Sequence, residues 1–321
     1  MARADVKVGF ACNNRCVFCA QGHKREGCPM VPFGTLIERL LEGRRSCDEV
    51  VLTGGEPSVR TDIVRVVAAA RAMGYRVIQL QTNGRMLAYD RMVEELVKAG
   101  VTEFSPALHG ATAEVHEALT RAAGSFDQTV AGIRNVRRRG MPVVTNSVVV
   151  RANTHQLPAL VELLGELGVQ QAQLAFVHPV GTAFEMFDEV VPRLRDVVEP
   201  IRACVPIAER HGMRLVTEAV PLCFLRNMRA LAVEDHIPRT TVIDLDGVPF
   251  DYSQWRPVEG KAHGEVCVDC AERGECEGPW REYADRFGWE EFQPIRRDEE
   301  VSSGDSSGAD QGRLAKGRGE G

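Results

Sequence analysis

Long uncharged apolar runs are absent from this 321-residue chain, in which no stretch reaches the length of about eighteen residues that a transmembrane helix needs. The residues from Met1 to Lys7 also lack the apolar region of a signal peptide. We therefore expect a soluble, cytoplasmic protein that makes no use of a membrane. Internal repeats of the solenoid type are missing too, which excludes that class of fold.

An excess of positive charge is missing as well. The chain has 39 Lys and Arg residues against 45 Asp and Glu residues, for a formal net charge of −6. Binding of nucleic acid requires clustered Lys and Arg residues that neutralise phosphates. The run Arg137-Arg138-Arg139 is better explained as the exposed end of a helix, where cations suit the helix dipole. A nucleic-acid partner is therefore not expected.

Cysteine, in contrast, is plentiful, with ten residues. In a reducing compartment, metal ligation explains them better than disulfide bonds do. Seven of the ten fall into two groups, one near each end of the chain. Of the other three, Cys47 and Cys204 are interpreted as ordinary helix residues, and Cys28 has no assigned role.

The first group is Cys12, Cys16 and Cys19, which follow an apolar stretch with C-x-x-x-C-x-x-C spacing. Three thiolates on one short loop can hold three irons of a cubic 4Fe-4S cluster and leave the fourth iron open for chemistry. A structural zinc site is the alternative, because Cys28 could complete a tetrahedral set. The spacing of the triplet alone does not separate the two.

A second motif, Gly54-Gly55-Glu56-Pro57, follows the next apolar stretch. Together with the loop from Cys12 to Cys19, in which the aromatic Phe18 precedes the last cysteine, it resembles the signature of the radical S-adenosylmethionine (SAM) family. The resemblance covers about residues 5 to 180. It implies an enzyme with SAM and a SAM-binding 4Fe-4S cluster, and it favours iron over zinc in the first cysteine group.

The resemblance also suggests how SAM is held. The amino acid end of SAM would chelate the open iron, and the glycines Gly54 and Gly55 would let the backbone approach its amine closely. Glu56 would accept hydrogen bonds from that cation, and Pro57 would stiffen the exit of the loop. An ordinary strand-to-helix turn is the other explanation of the two glycines.

Further candidates for the SAM site stand at or near the ends of later strands. We expect Ser105 and Ser147 to face the ribose and Arg151 to pair with the SAM carboxylate, although each of these residue types is often structural in such a position. His109, in Leu108-His109-Gly110, resembles a family pattern, and a turn histidine bonded to backbone is the alternative. The full set of predicted cofactor-binding residues is Phe18, Gly54, Gly55, Glu56, Pro57, Asn83, Ser105, His109, Ser147 and Arg151.

Short β-rich runs alternate with amphipathic segments, which predicts parallel strands with right-handed crossovers. Six such units predict an α/β protein with a partial (β/α)6 TIM-like barrel and a small Cys-rich carboxyl-terminal extension. The cysteine loop, Gly54-Gly55-Glu56 and Thr82-Asn83-Gly84 each follow a predicted strand, where a barrel places its cofactor. The predicted strands are 6–11, 49–53, 76–82, 103–108, 143–150 and 172–177, and the predicted helices are 35–45, 63–73, 91–99, 126–139 and 157–167.

The second group is Cys223, Cys267, Cys270 and Cys276, which supply four thiolates, enough for a second, auxiliary 4Fe-4S cluster. Zinc is again the alternative. Spacing and position resemble the twitch and SPASM extensions of radical SAM enzymes. SPASM domains carry more cysteines and two clusters, whereas this chain has none after Cys276, so a single auxiliary cluster is expected.

The predicted organisation has four parts, which are a barrel core (1–185), a connecting helical region (186–215), an auxiliary-cluster extension (216–295) and a disordered tail (296–321). Pro192, Pro200 and Pro206 are expected to kink or divide the connecting helix. The segment that contains Asp244, Asp246, Asp251, Tyr252 and Lys261 is expected to wrap the opening through which substrate enters.

The predicted activity is that of a radical SAM oxidoreductase or maturase. An electron from a low-potential donor such as ferredoxin or flavodoxin would cleave SAM to a 5′-deoxyadenosyl radical, which abstracts hydrogen from a peptide or small-molecule substrate. The auxiliary cluster would accept an electron, for a net oxidation or a cross-link. A structural role, in which the four ligands tie Cys223 to the later segment, is the alternative. A molybdopterin-cyclase-like enzyme and a non-catalytic iron-sulfur carrier are the alternatives; a fourth cysteine weakens the first and the Gly-Gly-Glu-Pro loop weakens the second. No catalytic residue can be named from the sequence.

Overall fold

A computed structural model describes residues 2–25 and 30–296 of the chain. Cys28 and the tail predicted beyond Arg296 lie outside the described residues. None of the helices in the described part is long and apolar enough to cross a membrane.

The strands form two sheets whose order follows the chain, as the alternating pattern predicts. The first sheet has the order β4-β3-β2-β1-β8-β9 and the second has the order β5-β6-β7. A parallel bridge between Phe104 and Val143 joins the two sheets, and every pairing is parallel except that of β8 with β9. This confirms the partial TIM-like barrel of an α/β protein. The strands are β1 (Ala2–Lys7), β2 (Glu49–Thr53), β3 (Val77–Thr82), β4 (Glu103–Pro106), β5 (Val144–Val149), β6 (Gln171–Phe176), β7 (Arg214–Glu218), β8 (Arg239–Ile243) and β9 (Pro249–Asp251).

Helices cover the outside of the barrel. They bury apolar side chains such as Leu36 and Leu40 against the strands, where Ala4 and Val6 of β1 are fully enclosed. The helices are α1 (Phe33–Arg44), α2 (Ile63–Ala72), α3 (Asp90–Ala99), α4 (Ala113–Thr120), α5 (Ser125–Arg138), α6 (Leu157–Glu166), α7 (Thr182–Glu185), α8 (Phe187–Val190), α9 (Leu194–Arg210), α10 (Tyr252–Trp255) and α11 (Arg281–Phe287).

The inner face of the barrel mixes polar side chains such as Gln79 and Asn146 with apolar ones such as Val144. Because Ala4 and Val6 face the helices, their neighbours Asp5 and Lys7 face inward, where the Lys7 ammonium donates to Asp5 at 2.8 Å and to Thr53 at 2.9 Å. Alternate residues of β3, β5 and β6 are only half buried in the same way. A fully closed barrel of this kind is packed inside with Val, Ile and Leu, so this interior has the character of a binding space and not of a core.

Three sequence predictions about the fold are wrong in detail. β1 ends at Lys7, and residues 8–11, predicted as its continuation, pair with the loop after β2 instead. Pro192 does separate α8 from α9, but Pro200 and Pro206 lie inside the continuous helix α9 and do not divide it. Cys204 is a helix residue as predicted, whereas Cys47 lies between α1 and β2.

The extension is also more closely joined to the barrel than the sequence indicated. β7 continues the second sheet beside β6, and β8 pairs in parallel with β1. The segment expected to wrap the substrate opening therefore supplies strands to the barrel sheet at residues 239–251.

Candidate active site

The cysteine loop leaves the carboxyl end of β1 and is fixed by its backbone. The N–H groups of Arg15 and Val17 donate to the Thr120 and Leu119 carbonyls at 2.8 and 3.0 Å, at the end of α4. The Thr182 N–H, after β6, donates to the Cys19 carbonyl at 3.0 Å. The three thiols are thus held at the mouth of the barrel by elements from both sheets.

The thiols of this loop affect the pKa values of one another through electrostatic interaction. Burial, together with the neighbouring Cys19 and Cys12, raises the pKa of Cys16 to about 12. The Asn14 N–H donates to Cys12 Sγ at 3.4 Å, and Arg25 lies 3.8 Å from Cys19 Sγ. A raised pKa disfavours the free thiolate, so ligation by Cys16 requires the positive charge that bound iron supplies.

The two glycines of the second motif are required by close approach of two chain segments. A Cβ on Gly55 would meet the carbonyl oxygens of Phe10 and Ala11 at 2.5 Å, and Gly54 adopts a φ of +131° against the Gly9 carbonyl. The Gly55 and Glu56 N–H groups donate to the Gly9 and Ala11 carbonyls, both at 2.8 Å. The loop after β2 therefore holds residues 9–11, which lead into the cysteine loop, in a fixed position.

Glu56 is almost fully enclosed, with 2% of its surface exposed. Its carboxylate accepts from the Ser58 N–H at 2.9 Å, the Thr82 hydroxyl at 2.6 Å and the Asn83 N–H at 2.5 Å. Burial raises the pKa of Glu56, against the effect of these hydrogen bonds. The carboxylate ties the end of β3 to the motif, and its contact with the SAM amine stays a prediction. Pro57 is buried at the start of the short helix that Glu56 caps.

Asn83 and Arg85 reach from the end of β3 to the cysteine loop. Asn83 Nδ2 donates to Asn13 Oδ1 at 2.6 Å and lies 4.0 Å from Cys12 Sγ. Arg85 donates to the Asn13 carbonyl and to Asn14 Oδ1. Asn83 is thus brought to the predicted site, and Arg85 is an additional positioning residue that the sequence reading did not select, although it follows Thr82-Asn83-Gly84 directly.

His109 is buried beside the cysteine loop and in edge contact with Phe18, at 4.7 Å between ring centroids. Its Nδ1 accepts from the Val148 N–H at 3.2 Å, so the ring proton is on Nε2. The His109 N–H in turn donates to His116 Nδ1 at 3.1 Å. Such contacts with the backbone are those expected of a turn histidine with a structural role. They also place the imidazole next to Phe18.

The buried histidine pair predicts sensitivity to acid. Burial lowers the pKa of His109 to about 3 and that of His116 to about 4. Below the unfolded pKa of about 6.5 the unfolded chain binds protons that the folded chain does not, so stability falls as the pH drops toward 4, by up to about 1.4 kcal/mol per pH unit for each histidine. In urea titrations at pH 7 and pH 5, His116→Gln should lose less stability than the wild type. The exposed control His155→Gln should match the wild type, and equal losses in all three proteins would contradict the prediction.

The remaining candidates lie nearby with partners of their own. Ser105 is buried on β4, and the Ser147 hydroxyl donates to the Leu108 carbonyl at 2.6 Å. Arg151 is exposed, and its guanidinium donates to the Val191 carbonyl at 3.0 Å. Their predicted contacts with the ribose and the carboxylate of SAM stay predictions.

The second cysteine group surrounds a separate, small cavity of about 20 Å³. The Ile295 N–H donates to Cys270 Sγ and the Gly278 N–H to Cys276 Sγ, both at 3.4 Å. Burial, together with the other three sulfurs, raises the pKa of Cys223 to about 12. The lining of the cavity includes all four cysteines of the group, which are Cys223, Cys267, Cys270 and Cys276.

In neither cysteine group do the side chains converge on one point, as the ligands of a single metal ion would. Within residues 2–25 and 30–296, no three or more His, Cys, Asp or Glu side chains are arranged to hold one metal ion. The donor chemistry of both groups, thiols with backbone N–H groups directed at the sulfurs, suits iron-sulfur clusters and thiolate zinc sites alike.

Comparison with known proteins identifies the family. The model of the Radical SAM superfamily matches residues 6–164. The probable GTP 3′,8-cyclase of Saccharolobus islandicus is 30% identical over 211 residues, which cover 64% of this chain and 67% of that relative. The chain belongs to the radical SAM superfamily. A second relative, the AdoMet-dependent heme synthase of Methanosarcina barkeri, is 34% identical over 56% of this chain and 52% of its own length.

Solved structures share the fold of this radical SAM protein. Streptococcus suis SuiB bound to S-adenosylmethionine has a TM-score of 0.65 at 15% identity, over 88% of this chain and 73% of SuiB. Native anSMEcpe with bound AdoMet and a Cp18Cys peptide has a TM-score of 0.64 at 13% identity, over 92% of both chains. Membership confirms the prediction of a radical SAM enzyme, and it implies a 4Fe-4S cluster and SAM as cofactors.

Proposed function

We propose that this protein is a radical SAM enzyme that oxidises or cross-links a peptide or small-molecule substrate with the aid of an auxiliary 4Fe-4S cluster. The observation that carries the proposal is the cavity lined by four cysteines, in addition to the cysteine loop. Four thiolates complete the ligation of a cubic cluster, which leaves electron transfer as its chemical use. The region of residues 216–295 would then be a twitch- or SPASM-like unit joined to the barrel through β7 and β8.

In this proposal Cys12, Cys16 and Cys19 hold the first cluster, with SAM on its open iron. When bound, this pair supplies a 5′-deoxyadenosyl radical that removes a hydrogen atom from the substrate, after an electron from ferredoxin or flavodoxin. The chain itself fixes the geometry, because Gly55 and Asn83 hold the cysteine loop in position. The inner face of the strands would hold the substrate, and the loops at the barrel mouth would keep water from the radical.

A cyclase acting on a nucleotide is the second candidate, which the similarity to the probable GTP 3′,8-cyclase of Saccharolobus islandicus supports. Recognition of a triphosphate needs several Lys or Arg side chains. On the described strands β1 to β6, Lys7 is the inward-facing cation near the carboxyl ends, and Asp5 already neutralises it. This interior suits a hydrogen-bonding substrate such as a peptide better than a polyphosphate. Two proteins that share this fold hold peptides, SuiB with its precursor peptide SuiA and anSMEcpe with the Cp18Cys peptide, and this supports the same choice.

Iron analysis tests the auxiliary cluster. Anaerobically reconstituted protein should carry about eight irons, because each cluster holds four. The double variant Cys267→Ala, Cys270→Ala should lose about half of that iron and still release 5′-deoxyadenosine from SAM. Zinc in place of iron at these cysteines would contradict the proposal.

Substrate class is tested separately with two assays on the same reconstituted protein. Consumption of GTP with formation of a cyclised nucleotide would favour the cyclase. Abstraction of deuterium into 5′-deoxyadenosine from a labelled peptide would favour the oxidase or maturase.

A further inference from the structure

Three arginines lie around the cysteine loop without acidic partners. Arg15 is exposed and directly precedes Cys16 in the loop. The guanidinium of Arg25 lies 3.8 Å from Cys19 Sγ, and Arg121 is exposed at the end of α4. In the part of the chain that the structure describes, none of the three arginines forms an ion pair with a carboxylate. Positive charge is therefore concentrated here, although the whole chain has a net charge of −6.

Backbone contacts bring Arg15 and Arg121 to one surface, together with an exposed aromatic ring. The Arg15 N–H donates to the carbonyl of Thr120 at 2.8 Å, and Arg121 is the next residue. The Arg121 guanidinium donates to Met186 Sδ at 3.3 Å, just after α7. Phe184 of α7 is 61% exposed, and the first N–H of α7 donates to the cysteine loop at 3.0 Å. We call this the arginine surface, which consists of Arg15, Arg25, Arg121 and Phe184.

Arg121 has a backbone conformation that arginine disfavours. It ends α4 with a φ of 50° and a ψ of 42°, in the left-handed region where glycine or asparagine is usual. Among the described residues, Ala219 is the other non-glycine residue with a positive φ. Backbone strain of this kind is concentrated at functional sites. Packing does not explain the choice of arginine, because the side chain is exposed, so its charge is the property that the position uses.

We propose that the arginine surface is the docking site of an acidic electron-carrier protein, which delivers to the cysteine loop the electron that cleaves SAM. This inference rests on the radical SAM activity of the proposed function. Arginine and aromatic side chains are enriched at the centres of protein interfaces, and complementary charge steers the two partners together.

The surface stays positive when its neighbours are included. Arg85 donates to Asn14 Oδ1 and so adds a fourth guanidinium beside the cysteine loop. The four guanidinium groups outnumber the nearby carboxylates of Glu117 on α4 and Glu185 on α7. An acidic partner is therefore favoured over a basic one.

The electron step balances with one carrier molecule. A reduced flavodoxin or ferredoxin loses one electron and is oxidised by that amount. The electron passes through the first cluster to SAM, whose bond between sulfur and the 5′ carbon breaks to give methionine and the 5′-deoxyadenosyl radical. A carrier in contact with Arg15 is one residue from the thiol of Cys16, a separation of about 3.8 Å between Cα atoms, so no relay residue is needed.

Binding of oxidised flavodoxin and of oxidised ferredoxin to the reconstituted full chain tests the surface. Because both carriers are acidic, the dissociation constant should rise between about 50 and 500 mM NaCl, as salt screens the charges. In the double variant Arg15→Gln, Arg121→Gly it should be roughly tenfold higher at low salt and depend less on salt. Glycine suits the left-handed position, so Arg121→Gly alone should resist urea at least as well as the wild type.

Two further variants separate charge from other effects. Arg121→Lys keeps the charge and should bind both carriers nearly as well as the wild type. Arg134→Gln is the matched control, because it removes an exposed arginine of α5 that also has no ion pair among the described residues, and it should leave binding unchanged.

Product formation gives a second readout. The ratio of flavodoxin-driven to dithionite-driven release of 5′-deoxyadenosine should fall in the double variant, since dithionite is small and needs no docking surface. Wild-type affinity for both carriers in the double variant, or failure of the wild type to bind either carrier, overturns the docking site and leaves the radical SAM activity standing. A wild-type protein that releases no 5′-deoxyadenosine under dithionite would instead overturn the proposed function, and the inference with it.

Discussion

A protein in which Cys12, Cys16 and Cys19 are all changed to alanine is expected to release no 5′-deoxyadenosine from SAM. The three thiols are the sulfur donors of the cysteine loop, and the groups that donate hydrogen bonds to them, such as the Asn14 N–H and Arg25, cannot ligate iron. Loss of all three removes the only proposed site for the electron that cleaves SAM. The measurement is product formation under dithionite, with iron content expected to fall by about half.

The controls for this variant come from the cysteines outside both groups. Cys47 and Cys204 are buried, with 2% and 0% of their surfaces exposed, and the Cys204 thiol donates to the Pro200 carbonyl. Changing both to alanine should leave iron content and product formation at the wild-type level, with only a modest loss of stability. Retained cleavage of SAM by the triple variant would contradict the assignment of the first cluster to the cysteine loop.

The order of strands and helices in the barrel could be predicted because each element has its own local pattern of apolar and polar residues. β2 has the bounds that the sequence predicts, and β3 and β6 begin within one residue of them. The end of β1 could not be predicted, because residues 8–11 are as apolar as a strand. Their partners are the Gly55 and Glu56 N–H groups, which are more than forty residues away in sequence, so local pattern carries no sign of them.

Helix α9 shows how packing can outweigh a local breaker. Pro200 and Pro206 each remove one backbone donor, which predicts a kinked or divided helix. The helix nevertheless buries a continuous stripe at helical spacing along its length, and this burial holds it together. The stripe consists of Leu194, Val197, Ile201, Cys204 and Ala208.

The candidate site was predictable in its residue types and less so in its contacts. The motif placed Glu56 and Asn83 near the cysteine loop, as the structure does. The partners of Glu56 on β3 depend on the parallel pairing of β2 with β3, which brings the ends of both strands to one edge.

Gly55→Val is expected to be among the most damaging single substitutions in the barrel. Even the first added carbon would meet the Phe10 and Ala11 carbonyl oxygens at 2.5 Å, and both belong to backbone that cannot rotate away. The hydrogen bonds from Gly55 and Glu56 to the same segment would be broken as the two chains separate. We expect a loss of about 3 kcal/mol or more in the free energy of unfolding, together with loss of iron from the cysteine loop. Urea unfolding and iron analysis measure the two effects.

Gly34→Ala is the matched control for this substitution. Gly34 lies in the first turn of α1, and a Cβ there would have no neighbour within 4 Å. Since alanine favours a helix over glycine, this variant should gain about 0.5 to 1 kcal/mol and keep its iron. If Gly55→Val were as stable and as rich in iron as Gly34→Ala, the close approach of the two loops would not be what requires glycine, and contact with SAM would have to explain the motif instead.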